Sequence, residues 1–230
     1  MLSEGWQMGL PEPLFGHTRL HQMYTQAKPD YTGRVTVPIL WDKKTGTIVS
    51  NESSEIIRMF NSEFNQVADN YLDFYPEKFR SLIDEWNDYI YPNINNGVYR
   101  CGFASSQDAY EEAYDNLFNA LDKVERYLQT HRYLAGNPIT EADWRLFTTL
   151  VRFDAVYVGH FKCNKKRIAD YPNIQGYLKE LYQVEGIKET TDFYHIKRHY
   201  YFSHTGINPT QVVPKGPELD LESPHDRDHL

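Results

Sequence analysis

Two cysteines in 230 residues leave this chain without a disulfide framework, and Cys101 and Cys163 stand far apart in the sequence. A reducing, cytoplasmic setting is the expectation. Basic charge is also scarce: 24 Lys and Arg against 32 Asp and Glu give a formal net charge of −8, which argues against a nucleic-acid partner. No apolar run approaches the roughly 20 residues that a membrane span requires. Nor does a basic flank followed by an apolar core mark a secretory signal at Met1. Internal repeats are lacking. What remains is 40% hydrophobic and 24% charged, the balance of a soluble globular chain with one large or two smaller domains. Aromatics reach 15%, with 18 Tyr. That abundance fits an aromatic-lined pocket, although tyrosine-rich helix packing accounts for it more simply.

The chain is organised around residues 34–41 and 51–55. Val35, Val37, Ile39 and Trp41 alternate with Thr36, Pro38 and Leu40, which predicts a short strand with one buried face. Pro38 cannot donate to a ladder, so a constrained X-Pro bond, with cis open to it, is expected at the strand opening. The residue before it, Val37, would then turn its N–H and C=O outward toward an extended ligand. Lys43-Lys-Thr-Gly46 reads as a turn into a second strand, Thr47-Ile-Val49. Ser50 or Asn51 would cap a helix beginning at Glu52, with Glu55 in its first turn. Such a helix start, with Ser53, makes an anion site.

Ahead of these, His17 to Ala27 predicts a short helix with Leu20, Met23 and Tyr24 on one face, ending before Pro29. Beyond them, helical periodicity runs to about Tyr201. Phe79, Leu82, Ile83, Trp86 and Ile90 mark one helix; Tyr110, Ala113, Tyr114, Leu117, Leu121, Val124 and Leu128 mark another. Thr140 and Asp143 form a capping box before an apolar helix, expected to run from Trp144 to about Tyr157. The domain expectation is residues 1–66, a linker over 67–77, a helical domain over 78–205 and an extended or partly disordered tail over 206–230.

Strand, Val-Pro, hairpin and Glu-Ser at a helix start resemble the glutathione-binding half of a thioredoxin-like glutathione transferase. The longer string Gly33-Arg-Val-Thr-Val-Pro-Ile-Leu-Trp-Asp-Lys-Lys44, with Ile48-Val-Ser-Asn-Glu-Ser53, is similar to one branch, the glutathionyl-hydroquinone reductases or Xi-class glutathione transferases. Further matching segments are Asn95-Asn-Gly-Val-Tyr-Arg-Cys-Gly-Phe103, Tyr133-Leu-Ala-Gly-Asn137, Arg152-Phe-Asp-Ala-Val-Tyr157, His160-Phe-Lys-Cys163 and His199-Tyr200. The implied fold is a partial α/β thioredoxin-like domain followed by an all-helical glutathione transferase C-terminal domain.

The implied reaction is glutathione-dependent reduction of glutathionyl-hydroquinones. A cysteine thiolate attacks the glutathionyl sulfur, the hydroquinone leaves, and a second glutathione regenerates the thiol. Tyr99 would protonate the leaving aromatic carbon, while Tyr157 and Tyr200 would stabilise the thiolate. For glutathione, Val37 would pair by its backbone with the cysteinyl unit. Glu52 and Ser53 would hold the γ-glutamyl end, Arg34 the glycyl carboxylate, and Trp6 would stack on the ligand. A homodimer is the family expectation, with glutathione as co-substrate and no metal.

One expected part is missing. The family nucleophile sits in a Cys-Pro-Trp-Ala type motif at a helix start, and no such motif occurs here. Cys101 and Cys163 read as packing residues. The resemblance therefore implies a chain starting partway through its first domain, or a variant without its nucleophile. A non-catalytic binding or dimerising module is then a live alternative, and conjugation through a Tyr or Ser a weaker one. The pairs His17/His21 and His195/His199 have metal-ligand spacing on a helix, but no acidic partner stands at a zincin position.

Overall fold

Residues 8–68 and 72–230 are described by the computed structural model, and the chain divides into two units between Asp73 and Phe74. Trp6 lies outside the described residues. In unit 1, helix α1 (Leu20–Ala27) is entered through Gln22, whose side-chain oxygen takes the N–H of Arg19 at 2.9 Å. Its apolar stripe buries Leu20, Met23 and Tyr24 at i, i+3 and i+4. Strands β1 (Leu40–Asp42) and β2 (Thr47–Ser50) pair antiparallel, with Trp41 opposite Ile48. Their turn is closed by the Asp42 carboxylate, which accepts from the Lys44 N–H at 2.7 Å and the Thr45 hydroxyl at 2.6 Å. Gly46 supplies the left-handed φ of +67° that the turn requires. Helix α2 (Ser53–Ser62) follows, with Ile56 buried and Ile57 and Phe60 exposed.

Two expectations change here. The strand expected over 35–41 shrinks to Leu40–Asp42, because the backbone of Thr36 pairs with a phenol instead of a neighbouring strand. The Val37–Pro38 bond is cis. The cap of α2 is Glu52 rather than Ser50 or Asn51: the Glu52 carboxylate accepts the Ser54 N–H at 3.1 Å. Ser50 instead takes the Glu52 N–H at 3.0 Å and donates to Glu55 at 2.8 Å.

Unit 2 is helical. α3 (Arg80–Ile90) runs through a π-turn (Tyr91–Asn95) containing Pro92 into α4 (Gly97–Gly102). A proline cannot continue the α-ladder, and the wider turn absorbs it. The long α5 (Gln107–Leu128) and α6 (Glu141–Arg152) enclose the core, centred on Ile83, Ile90, Leu117, Leu121, Leu146 and Val156. The apolar helix expected to reach Tyr157 stops at Arg152. A second π-turn (Phe153–Tyr157) and the short α7 (Val158–His160) continue the path.

At the start of α6, Asp143 is fully buried and accepts from four donors: the Leu134 and Thr140 N–H groups, the Thr140 hydroxyl and the Tyr177 phenol, at 2.7–2.9 Å. Burial pushes its carboxyl above the ordinary range, while those hydrogen bonds act in the opposite sense. α8 (Pro172–Tyr182) and α9 (Phe193–Ser203) complete the helices.

The tail was expected to be extended or partly disordered. It forms no regular element, yet Arg227 is buried, donating to the carbonyls of Leu128, His131 and Arg132 and to Glu180 at 2.6–3.2 Å. Five donors on one planar group suit the carbonyl-rich end of α5, where the helix dipole also favours a cation. Beside it the tail backbone lies so close to Gly176 that a Cβ there would meet the His225 carbonyl at 2.9 Å.

Candidate functional site

In unit 1 three distant positions meet at one oxygen. The Tyr24 phenol donates to the Thr36 carbonyl at 2.6 Å and accepts from the Thr36 N–H at 3.1 Å and Asn51 Nδ2 at 3.1 Å. Asn51 Nδ2 also reaches Thr36 Oγ1 at 3.1 Å. The segment carrying Val37 is thereby tied to the residue before Glu52 and Ser53. Val37 is 64% exposed, and among the described residues its N–H and C=O have no protein partner. Glu52 and Ser53 are exposed at the start of α2. Arg34 is exposed as well, its carbonyl held by the Tyr31 phenol at 2.7 Å and its guanidinium unpaired among the described residues.

In unit 2, Tyr99 of α4, Tyr157 of the second π-turn and Tyr200 of α9 form a chain of phenols. The Tyr99 and Tyr200 oxygens are 2.5 Å apart, and those of Tyr157 and Tyr200 are 2.9 Å apart. Phe161 braces all three rings, at centroid distances of 5.4, 5.5 and 5.7 Å. Exposure falls along the chain, from 36% at Tyr99 to 4% at Tyr200 and 2% at Tyr157. Burial pushes the phenols of Tyr157 and Tyr200 well above their ordinary value, so both hold their protons at neutral pH.

The direction of the bonds follows from burial. Tyr157 has no second partner among the described residues, and a buried O–H with no acceptor costs about 1–3 kcal/mol. Its proton therefore points to Tyr200, and the proton of Tyr200 points to Tyr99. That leaves Tyr99, the exposed member, with a proton free to donate outward.

The two cysteines, remote in sequence, bring their thiols together in the core of unit 2, at 2% and 0% exposure. The neighbouring Cys101 thiol and burial push Cys163 strongly up, while its hydrogen bond with Cys163 lowers Cys101. Both thiols are shut away from solvent. His160 Nε2 and His204 Nδ1 lie 3.2 Å apart beside the tyrosines, and burial lowers His160 to about 4. His195 is exposed next to Asp192 while His199 stacks edge-on against Tyr200. Among the described residues no three His, Cys, Asp or Glu side chains gather as a metal set. A cavity of about 260 Å³ lies elsewhere in unit 2, between α9 and the tail, and no site tyrosine lines it.

Comparison with known proteins decides the family. Residues 107–180 match the family model for the glutathione S-transferase C-terminal domain. The glutathionyl-hydroquinone reductase YqjG of Escherichia coli (strain K12) is 53% identical over 234 residues, covering 99% of this chain and 71% of the relative. The chain belongs to the glutathionyl-hydroquinone reductases, the Xi-class glutathione transferases. The glutathione-bound structure of YqjG superposes at a TM-score of 0.94, covering 99% of this chain and 76% of that one. A Xi-class transferase from Natrialba magadii, 48% identical, gives 0.96 over 99% of this chain and 71% of its own.

Within this family member, sequence reasoning missed Tyr24, Thr36 and Asn51 as members of one polar cluster in unit 1. Tyr24 stood out only as an apolar-face residue, and Asn51 only as a candidate cap. Nothing in the spacing shows that their polar atoms converge.

Proposed function

We propose that this chain recognises glutathione through unit 1 and carries, in unit 2, the proton-donating phenols for glutathione-dependent reduction of glutathionyl-hydroquinones. The observation that supports it most is the ordered hydroxyl chain ending at Tyr99. In the reaction a thiolate, supplied by reduced glutathione because both of the chain's own thiols are enclosed, attacks the glutathionyl sulfur. A disulfide forms as the sulfur–carbon bond breaks, and the aromatic carbon takes a proton as the hydroquinone leaves. Tyr99 supplies that proton. Tyr200 donates to the resulting Tyr99 phenolate and stabilises it, and Tyr157 holds Tyr200 in that orientation. With both protons directed along the phenol chain, this role replaces the thiolate-stabilising one expected of the two. Tyr157, enclosed behind Tyr200, is a positioning residue. For glutathione, Val37 offers an N–H and C=O that are unpaired among the described residues, the α2 start with Ser53 takes the γ-glutamyl carboxylate, Glu52 the ammonium, and Arg34 the glycyl carboxylate. Trp6 completes this set as the stacking residue. A cytoplasmic homodimer is part of the same proposal, tested by size-exclusion chromatography.

The burial of both thiols favours a second reading, a glutathione-binding module whose own cysteines do no chemistry. One experiment addresses both. The chain is given a glutathionyl-hydroquinone with and without reduced glutathione, and binding is followed by calorimetry and hydroquinone release by chromatography. Saturable binding that is weakened in Glu52→Ala is expected. Release that drops about a hundredfold in Tyr99→Phe supports the reductase; binding with no release supports the module. Failure to bind glutathione or its conjugate overturns both.

A further inference from the structure

We propose that Tyr24 is a positioning residue for glutathione, its phenol standing in for a neighbouring strand so that Val37 presents its backbone outward. This rests on the reading that Val37 and the start of α2 hold the tripeptide. A phenol has one proton and two lone pairs, and here all three are used on Thr36 O, Thr36 N–H and Asn51 Nδ2. In an extended chain the N–H and C=O of one residue point to one side and those of the next residue to the other. Tyr24 takes both groups of Thr36, the chain bends at Val37, and among the described residues nothing meets the Val37 N–H and C=O.

Asn51 extends the effect. It is bonded to the same phenol and directly precedes Glu52, so one hydroxyl sets the spacing between the Val37 backbone and the helix start. Tyr31, whose ring lies 4.9 Å from that of Tyr24, holds the Arg34 carbonyl two residues earlier on the chain. The two tyrosines thus fix alternate carbonyls, the pattern an adjacent strand would impose. Tyr24 is 3% exposed, whereas Thr36 and Asn51 are exposed. Their freed groups can turn to water when the hydroxyl is removed, so a phenylalanine at this position loosens the segment without leaving buried groups unpaired.

The test compares the unsubstituted chain, Tyr24→Phe, Asn51→Ala and Glu52→Ala, titrated with reduced glutathione by calorimetry and by amide NMR. In Tyr24→Phe affinity falls about five- to tenfold, the worth of roughly one to two hydrogen bonds. The Val37 amide loses most of its response to ligand while the Ser53 amide keeps its own, a split that a general loss of stability does not give. Equal affinity in Tyr24→Phe together with weakened binding in Glu52→Ala rejects the role of Tyr24 and leaves the site reading standing. No saturable binding by the unsubstituted chain rejects the reading, and the role of Tyr24 with it. Should Tyr24→Phe fail to fold, Asn51→Ala keeps the Tyr24–Thr36 bonds and severs the two bonds, to the Tyr24 phenol and to Thr36 Oγ1, that tie this segment to the helix start. A weakening of about two- to threefold is then expected, and unchanged affinity rejects the proposal.

Discussion

The two units solve the problem of positioning polar groups in opposite ways. Unit 2 holds its phenols on side chains locked in a dense core; Tyr157 and Phe161 are almost wholly enclosed. Unit 1 buries few large apolar side chains, among them Leu20, Met23, Tyr24 and Ile56, and leaves Val49, Ile57, Phe60 and Phe64 exposed. Its candidate binding groups belong largely to the backbone: Val37 before a cis proline and the first turn of α2. A backbone site needs only its local dihedrals and a few hydrogen bonds fixed. A side-chain relay needs every rotamer fixed, and only close packing does that.

Four experiments bear on this contrast. The largest effect is expected from Asp143→Ala, which strips the partner from the Leu134 and Thr140 N–H groups and the Tyr177 phenol, all in unit 2. Urea unfolding of the helical unit should show a loss of roughly 3–5 kcal/mol. A loss below about 1 kcal/mol would mean that this core is not held by its buried carboxylate.

The next effect depends on pH. His160, 4% exposed and facing His204, Tyr201 and Lys162, has its pKa lowered to about 4 from an ordinary 6.5. The unfolded chain thus binds this proton first as pH falls. The stability contributed is complete above about pH 6.5, is lost on acidification and levels off near pH 4; its full extent is roughly 3 kcal/mol. Thermal scans between pH 7 and 4 should show the decline in the native chain and a flatter profile in His160→Phe. Equal slopes would discard the assignment.

In unit 1 the effects shrink. Glu52→Ala removes the cap of α2 and should cost about 1 kcal/mol of local stability, read from amide exchange in that helix, and it should weaken glutathione as well. Smallest is Val37→Ala, since the side chain is exposed and the backbone is retained. Its glutathione affinity should change less than about twofold, whereas Val37→Pro, which deletes the N–H, should weaken binding about tenfold. A large effect of Val37→Ala would show that unit 1 also works through side chains.

Much of this was legible in the chain itself. Leu20, Met23 and Tyr24, the Ile83–Ile90 face and the Leu117–Leu128 face gave their helices away by spacing, because one stripe of each must leave water. The hairpin showed in Lys43-Lys-Thr-Gly46, and the Thr140–Asp143 box in its own four residues. These are local signals, each carried within a turn or two. The π-turn ending at Tyr157 was not legible, since its sequence has no proline and reads as continuous helix. Nor was the seating of Arg227, from a proline-rich tail expected to be extended or partly disordered, against the end of α5.

The sequence by itself determined the family, the helical character of unit 2 and the candidate residues Tyr99, Tyr157, Tyr200, Val37, Glu52 and Ser53. It could do so because periodicity and turn chemistry are properties of neighbours along the chain, and because a long motif string carries the resemblance from which the candidate residues were taken. Only the tertiary structure decided the order of the three phenols, the meeting of Tyr24 with Thr36 and Asn51, and the enclosure of both thiols. Those depend on which distant groups share a buried space, and burial sets whether a proton has anywhere else to go.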